Sequence, residues 1–339
     1  MHVFVSEYLV GGACAGARVS ASMRREGLAM LRAVAVDIAR LPGTVVVTTL
    51  EPGLALPDPI QTIIVESAAE EAKWFARLIH DVDHVLVIAP ETDGLLAERC
   101  RLVRASQAVS WNCTPEAIEL CGDKLRLSHF LQALGIPTPR THLVDFAQEP
   151  QLDAGPIVLK PLDGAGSCLT FLVRNRDEFR QAAAEYELAG QTDHCLWQPY
   201  LAGRALSMGF NISLEGRHVE SLPIAEQRLS DDGRFQYRGG LIPAVLPDAS
   251  REAIHELVVR VYRAIDGLAG YVGMDLVLTP EGEPILIEIN PRLTTSYVGY
   301  RRVCPKLLPC DWLPHRFETS HLLKPSEETL DKLEFTPEC

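Results

Sequence analysis

The sequence predicts an α/β and α+β protein that opens with a doubly wound parallel sheet. Three observations carry this. Short aliphatic runs alternate with helix-period segments from His2 to Ala89. Glycine and proline fall between the runs rather than inside them. From Trp111 onward the order changes to mixed strands, helices and a hairpin. A chain of 339 residues is long enough for two or three domains, each with its own core.

HVFVS is the first short strand. Ser22 to Leu41 places Leu28, Leu31, Ala35 and Ile38 on one helical stripe, and Gly43 closes the segment. TVVVTT is a second strand, Ala68 to His80 a second helix and HVLVIA a third strand. Such a βαβαβ run implies parallel strands, and ligands bind at their carboxyl ends. Three segments leave there: Glu7 to Gly16, Thr48 to Pro52, and Pro90 to Gly94. The glycines of the first do not form GxGxxG, which speaks against a Rossmann oxidoreductase. The acidic PETDG loop, with Glu91 and Asp93, can meet an amine; it reads equally well as a capped helix start before Leu95.

In CGDKLRLSHFLQALGIPTP, Asp123 is a good N-cap and Gly135 with Pro137 ends the helix. Lys124 then sits in the first turn, where the macrodipole favours an acid, so it is either incidental or aimed at a phosphate. The strand PIVLK delivers Lys160 into the loop Asp163–Gly164–Ala165–Gly166–Ser167. Backbone N–H groups of such a loop can cradle phosphate oxygens, although no Walker A pattern is present. Glu178 to Leu188 reads as a helix, CLWQPYLAGRALS as a strand and turn, and Ile254 to Leu268 as a long amphipathic helix.

The strongest signal is GYVGMDLVLTPEGEPILIEINPRLTTS, read as two strands around a turn. If Leu278 pairs with Ile285, Asp275 stands opposite Glu288. Facing carboxylates destabilise a hairpin unless a cation lies between them. Asn290 and Arg292 share the face of Glu288 by strand alternation. Two carboxylates and an amide oxygen suit Mg²⁺ or Mn²⁺. The plain alternative is a solvated surface hairpin, which explains poorly an Asp inside so apolar a strand.

Composition bounds the partners. The net charge of −13 argues against nucleic acid. No run of about 18 apolar residues suggests a membrane span, and the N-terminus lacks the pattern of a secretory signal. Nine scattered cysteines without a CxxC pair read as reduced thiols of a cytoplasmic protein.

In order, DK at Asp123–Lys124, VLKP at Lys160, DGAGS, WQPYLAG, and Asp275 with EINPR from Glu288 to Arg292 resemble the ATP-grasp superfamily. The resemblance covers roughly residues 111–302, after an α/β domain that fits the family's preceding one. It implies a domain at 1–110, a lid lobe at 111–196, a metal-bearing lobe at 197–316 and a polar tail at 317–339, with the two α+β lobes clasping ATP. Lys124 and Lys160 would contact phosphates or the adenine edge. Asp163, Gly164, Gly166 and Ser167 would cover ATP, and Gln198, Tyr200 and Leu201 would line adenine. Asp275, Glu288 and Asn290 would hold the metal, and Arg292, with Lys160, would steady the transferring phosphate. Gln198 stands where many relatives carry an acid, and Arg204–Leu206 where they carry a Glu.

VSEYLVGG, IAPETDGLL, CGDK and EINPRLTTSYVGYR further resemble the tyramine–L-glutamate ligase type of methanofuran biosynthesis. The implied reaction joins a small-molecule carboxylate to an amine through an acyl phosphate, releasing ADP and phosphate. Glu7, Glu91 and Asp93 are the expected amine contacts, Tyr297 an aromatic wall and Arg301 the cation for the donor's second carboxylate. Other amine or amino-acid substrates, carbamoyl-phosphate-type chemistry and a non-catalytic ATP-binding regulator stay open, as does a homodimer.

Overall fold

The computed structural model describes residues 1–17, 19–148, 152, 154–164, 166–215, 219–304, 308–312 and 332–336. The first sheet holds β1 (His2–Glu7), β2 (Val45–Leu50), β3 (Gln61–Ile64), β4 (His84–Ile88) and β5 (Val109–Ser110), all parallel in the order β3-β2-β1-β4-β5. Helices α1 (Ala21–Ala39), α2 (Ala68–Asp81) and α3 (Leu95–Ala105) connect them. Their starts follow local chemistry: the Ser20 and Ser67 hydroxyls accept from Met23 N–H and Glu70 N–H. β3 and β5 carry no alternating pattern of their own and are held by their neighbours.

α4 (Pro115–Gly122) and α5 (Lys124–Ala133) lead out of this domain. Asp123 both ends α4 and caps α5, accepting Arg126 N–H at 2.9 Å. The second sheet, order β6-β9-β7-β8, is antiparallel and contains β6 (His142–Leu143), β7 (Ile157–Pro161), β8 (Phe171–Val173) and β9 (Cys195–Pro199). α6 (Arg176–Leu188) covers it with a small core of its own around Leu159, Phe171 and Tyr186.

The third sheet runs β15-β14-β10-β12-β13-β16, with β11 on β10. Its strands are β10 (Arg204–Ile212), β11 (Val219–Ser221), β12 (Ala225–Leu229), β13 (Tyr237–Ile242), β14 (Gly270–Leu278), β15 (Pro284–Asn290) and β16 (Leu333–Phe335). α7 (Asp248–Ala264) packs against it, and α8 (Ser296–Val303) follows β15. One apolar core runs from Phe4 and Phe75 of the first domain through α4 and α5 to Met208, Val258 and Met274. The core of the second sheet is separate from it.

One expectation changes. The tail is not a polar appendage throughout, because β16 pairs with β13 and buries Phe335. Among the described residues no helix is long and apolar enough to cross a membrane.

Candidate functional site

The β14–β15 hairpin sets the centre. Asp275 lies opposite Glu288, but Leu278 pairs with Pro284 and Val277 with Ile285. The expected Leu278–Ile285 register is therefore one residue off at the turn. A bulge between Asp275 and Leu276 restores the carboxylate pair.

Asp275 is partly buried and faced from three strands. Its Oδ1 accepts from Gln227 Nε2 of β12 at 2.9 Å, and its Oδ2 from Asn290 Nδ2 of β15 at 3.0 Å. Ser207 stands across from it on β10. Burial pushes the Asp275 carboxyl up to about 6 and Glu288 adds to the rise, while Asn290, Ser207 and Gln227 pull it down. Gln227 and Ser207 escaped the sequence reading. Ser207 had a weak signal, a polar residue in an apolar strand; Gln227 had none.

Two lysines face this acidic pair from other elements. Lys124 Nζ donates to Gly164 O at 3.1 Å and lies 3.8 Å from Glu288 Oε1. Lys160 comes from β7 and is buried. Burial pushes its ammonium down to about 8; Glu288 and Asp275 oppose that shift, and Lys124 reinforces it. Among the described residues no three His, Cys, Asp or Glu side chains gather as a metal set. The donor set is instead two carboxylates and one amide. With its nitrogen given to Asp275, Asn290 has only its carbonyl oxygen left as an acceptor. Two facing acids and an amide oxygen fit a divalent oxygen-bound cation.

The glycine loop folds down onto the first domain. Asp163 Oδ2 accepts Asp93 N–H at 2.8 Å, and the Ser167 hydroxyl donates to Phe235 O at 2.8 Å. Gly164 has φ +115°, a backbone setting that side-chain-bearing residues rarely adopt. Gly166 lies over Met23 at the start of α1. Farther along, Gln198 is buried, its residue paired with Val158 in the β7–β9 ladder and its Nε2 given to Thr141 Oγ1 at 2.7 Å. Tyr200 is partly exposed, its ring 6.2 Å from that of Phe235, and Leu201 is half-buried beside it.

Arg292 and Glu91 meet across the domain boundary, Nε to Oε1 at 2.9 Å, both nearly buried. The approach is off the N–H direction, so it is a charge contact rather than a directed hydrogen bond. Arg292 Nη1 also donates to Leu293 O. Burial disfavours its charge, yet Glu91, Glu288 and Asp275 outweigh that and raise its pKa. Glu7, at the carboxyl end of β1, is buried under Gly27 and accepts Val10 N–H at 2.7 Å. Burial pushes its carboxyl up to about 7, against the Val10 and Leu9 N–H groups, Arg292 and Arg99.

Tyr297 and Arg301 do not join the site. Tyr297 is fully buried and its hydroxyl donates to Asp37 Oδ2 of α1 at 2.9 Å. Arg301 grips the same carboxylate through Nε at 2.8 Å and Nη2 at 2.5 Å. Sequence proximity to Glu288 and Asn290 misled here, because α8 turns both side chains toward α1.

A parallel-sheet domain, a second sheet with a glycine loop, and a third sheet carrying paired carboxylates define a nucleotide-clasping class of protein. The match to known families agrees: residues 121–296 fit the ATP-grasp domain model, and residues 44–118 the pre ATP-grasp 3 domain. The chain belongs to the ATP-grasp family. It is 25% identical over 220 residues to tyramine–L-glutamate ligase of Methanocaldococcus fervens, covering 65% of this chain and 62% of the relative. It is 30% identical over 187 residues to D-alanine–D-alanine ligase of Azoarcus sp., covering 51% and 58%. The chain thus spans under two thirds of both relatives. A putative ATP-grasp superfamily protein from Archaeoglobus fulgidus shares the fold, with TM-score 0.69 and 22% identity over 91% of this chain and 87% of that one.

Proposed function

We propose that the chain is an ATP-dependent carboxylate–amine ligase that forms an amide through an acyl phosphate. The observation that carries this is the convergence of Lys124 and Lys160 on the Asp275–Glu288 pair beneath a closed glycine loop. A carboxylate is a poor acylating agent because its leaving group is oxide. Transfer of the γ-phosphoryl to one carboxylate oxygen breaks the bond to ADP and makes phosphate the leaving group. An amine then displaces phosphate, losing a proton to a base.

Lys124 and Lys160 bind the phosphates, and the loop Asp163–Ser167 covers them with backbone N–H groups. Gln198, Tyr200 and Leu201 line adenine. Asp275, Glu288 and Asn290 would hold Mg²⁺, which when bound would neutralise charge on the transferring group. Arg292 steadies the same group by electrostatics and positioning. Docking of the loop on Asp93 excludes water, which protects an acyl phosphate from hydrolysis.

The relatives favour L-glutamate and tyramine as the first substrate pair and D-alanine with itself as the second. An ADP-release screen of carboxylates against amines tests this. ADP formation that needs ATP, Mg²⁺, one carboxylate and one amine supports the reading. ADP formation with no such dependence, or none with any pair, contradicts it.

A further inference from the structure

We propose that Glu91 is the ammonium-binding residue of the acceptor site, and that it becomes available when Arg292 leaves it for the phosphorylated donor. This rests on the ligase reading and adds an order of events to it.

The resting contact is unusual among the buried pairs of this chain. Glu71 accepts two directed bonds from Arg99, at 2.7 and 2.8 Å, and Asp37 two from Arg301. Glu91 and Arg292 lie 2.9 Å apart and are as buried, yet their contact is a single Nε–Oε1 approach off the N–H direction, and the second Glu91 oxygen has no partner. A buried ion pair with unused donors and acceptors recovers little of its desolvation cost. It is easily exchanged for ligands that satisfy both partners.

The surroundings give the exchange a direction. The Glu91 stem is confined: a Cβ built on Gly122 would stand 3.1 Å from its Cβ. Its other electrostatic neighbours include the buried thiols of Cys113 and Cys121, which supply no positive charge. Arg292 feels Glu288 and Asp275 as well as Glu91. A phosphoryl group held at Lys124 and Lys160 adds negative charge on that side of Arg292. Drawn there, Arg292 leaves Glu91 as a buried carboxylate without a cation, a costly state. A primary ammonium, with three donors and one charge, restores the balance. The acceptor is thereby bound tightly only once the donor is in place.

The test measures initial rates with ATP, L-glutamate and tyramine varied in turn, for the wild-type chain and for Glu91→Gln. The expected result is a tyramine KM at least tenfold higher, with the ATP KM changed less than twofold. An unchanged tyramine KM, or equal rises in all three, overturns the proposal. Should Glu91→Gln not fold, calorimetry on the wild-type chain decides. Tyramine should bind at least tenfold tighter with L-glutamate and a non-hydrolysable ATP analogue present than without them, and equal affinity overturns the proposal. No donor-dependent ADP release by the wild-type chain, with any carboxylate, defeats the ligase reading itself and this inference with it.

Discussion

Asp275 and Glu288 face each other because β15 carries one residue more than β14 between this pair and the turn. Leu276 pairs with Leu286 and Asp275 with Glu288, which leaves Ile287 as the extra residue. Bulges of this kind re-aim side chains and raise local twist. Here the bulge sets an acidic pair at the point where β10 and β12 bring Ser207 and Gln227.

Asp275→Asn is expected to abolish most activity while stabilising the ligand-free chain at neutral pH. The carboxyl is raised to about 6 from 3.8, so the folded state disfavours its charge. That cost is fully present above pH 6 and vanishes as pH falls below about 4. The shift corresponds to on the order of 2–3 kcal/mol. Thermal unfolding of both proteins from pH 4 to 8 checks it. The advantage of the variant should grow from pH 4 to about 6 and level off above it.

Gln227→Leu removes a donor that holds the Asp275 carboxyl down. The acid limb of the pH–rate profile should move to higher pH, because Asp275 must ionise to bind a cation. A profile with an unmoved acid limb would make Gln227 a packing residue only.

Lys160 sets a basic limit. Its ammonium lies at about 8 in the free protein, and bound phosphates favour the charged form. Nucleotide affinity should be flat below pH 8 and fall by up to about tenfold per unit above it. In Lys160→Met, calorimetry should show weaker binding without that decline.

Much of this site is written locally. The apolar run around Asp275, the cap at Asp123 and the strand ending at Lys160 each depend on a few neighbouring residues, and the structure keeps them. β3 and β5 are short and take their shape from the strands beside them. Gln227 reaches Asp275, and Glu91 reaches Arg292, only through the fold, over separations that periodicity does not encode. Tyr297 and Arg301 show the reverse error: close to β15 in sequence, they belong to the α1–α8 contact.

That contact gives its own prediction. Arg301→Ala should act on stability rather than on any one KM, because it leaves Asp37 buried with a reduced set of partners. A loss of about 3 kcal/mol is expected, read as a lower denaturation midpoint. A selective rise in donor KM at unchanged stability would return Arg301 to the substrate site.

The most direct measurement of the central claim compares wild type with Glu288→Gln for ADP and amide formation, using ATP, Mg²⁺, L-glutamate and tyramine, with the other donor–acceptor pairs alongside. The account predicts that the wild type forms ADP and amide in equal amounts with at least one pair, and that Glu288→Gln is slower by at least about tenfold, since Glu288 would hold the cation that neutralises the transferring group. Mg²⁺-dependent amide formation by Glu288→Gln at the wild-type rate would contradict it.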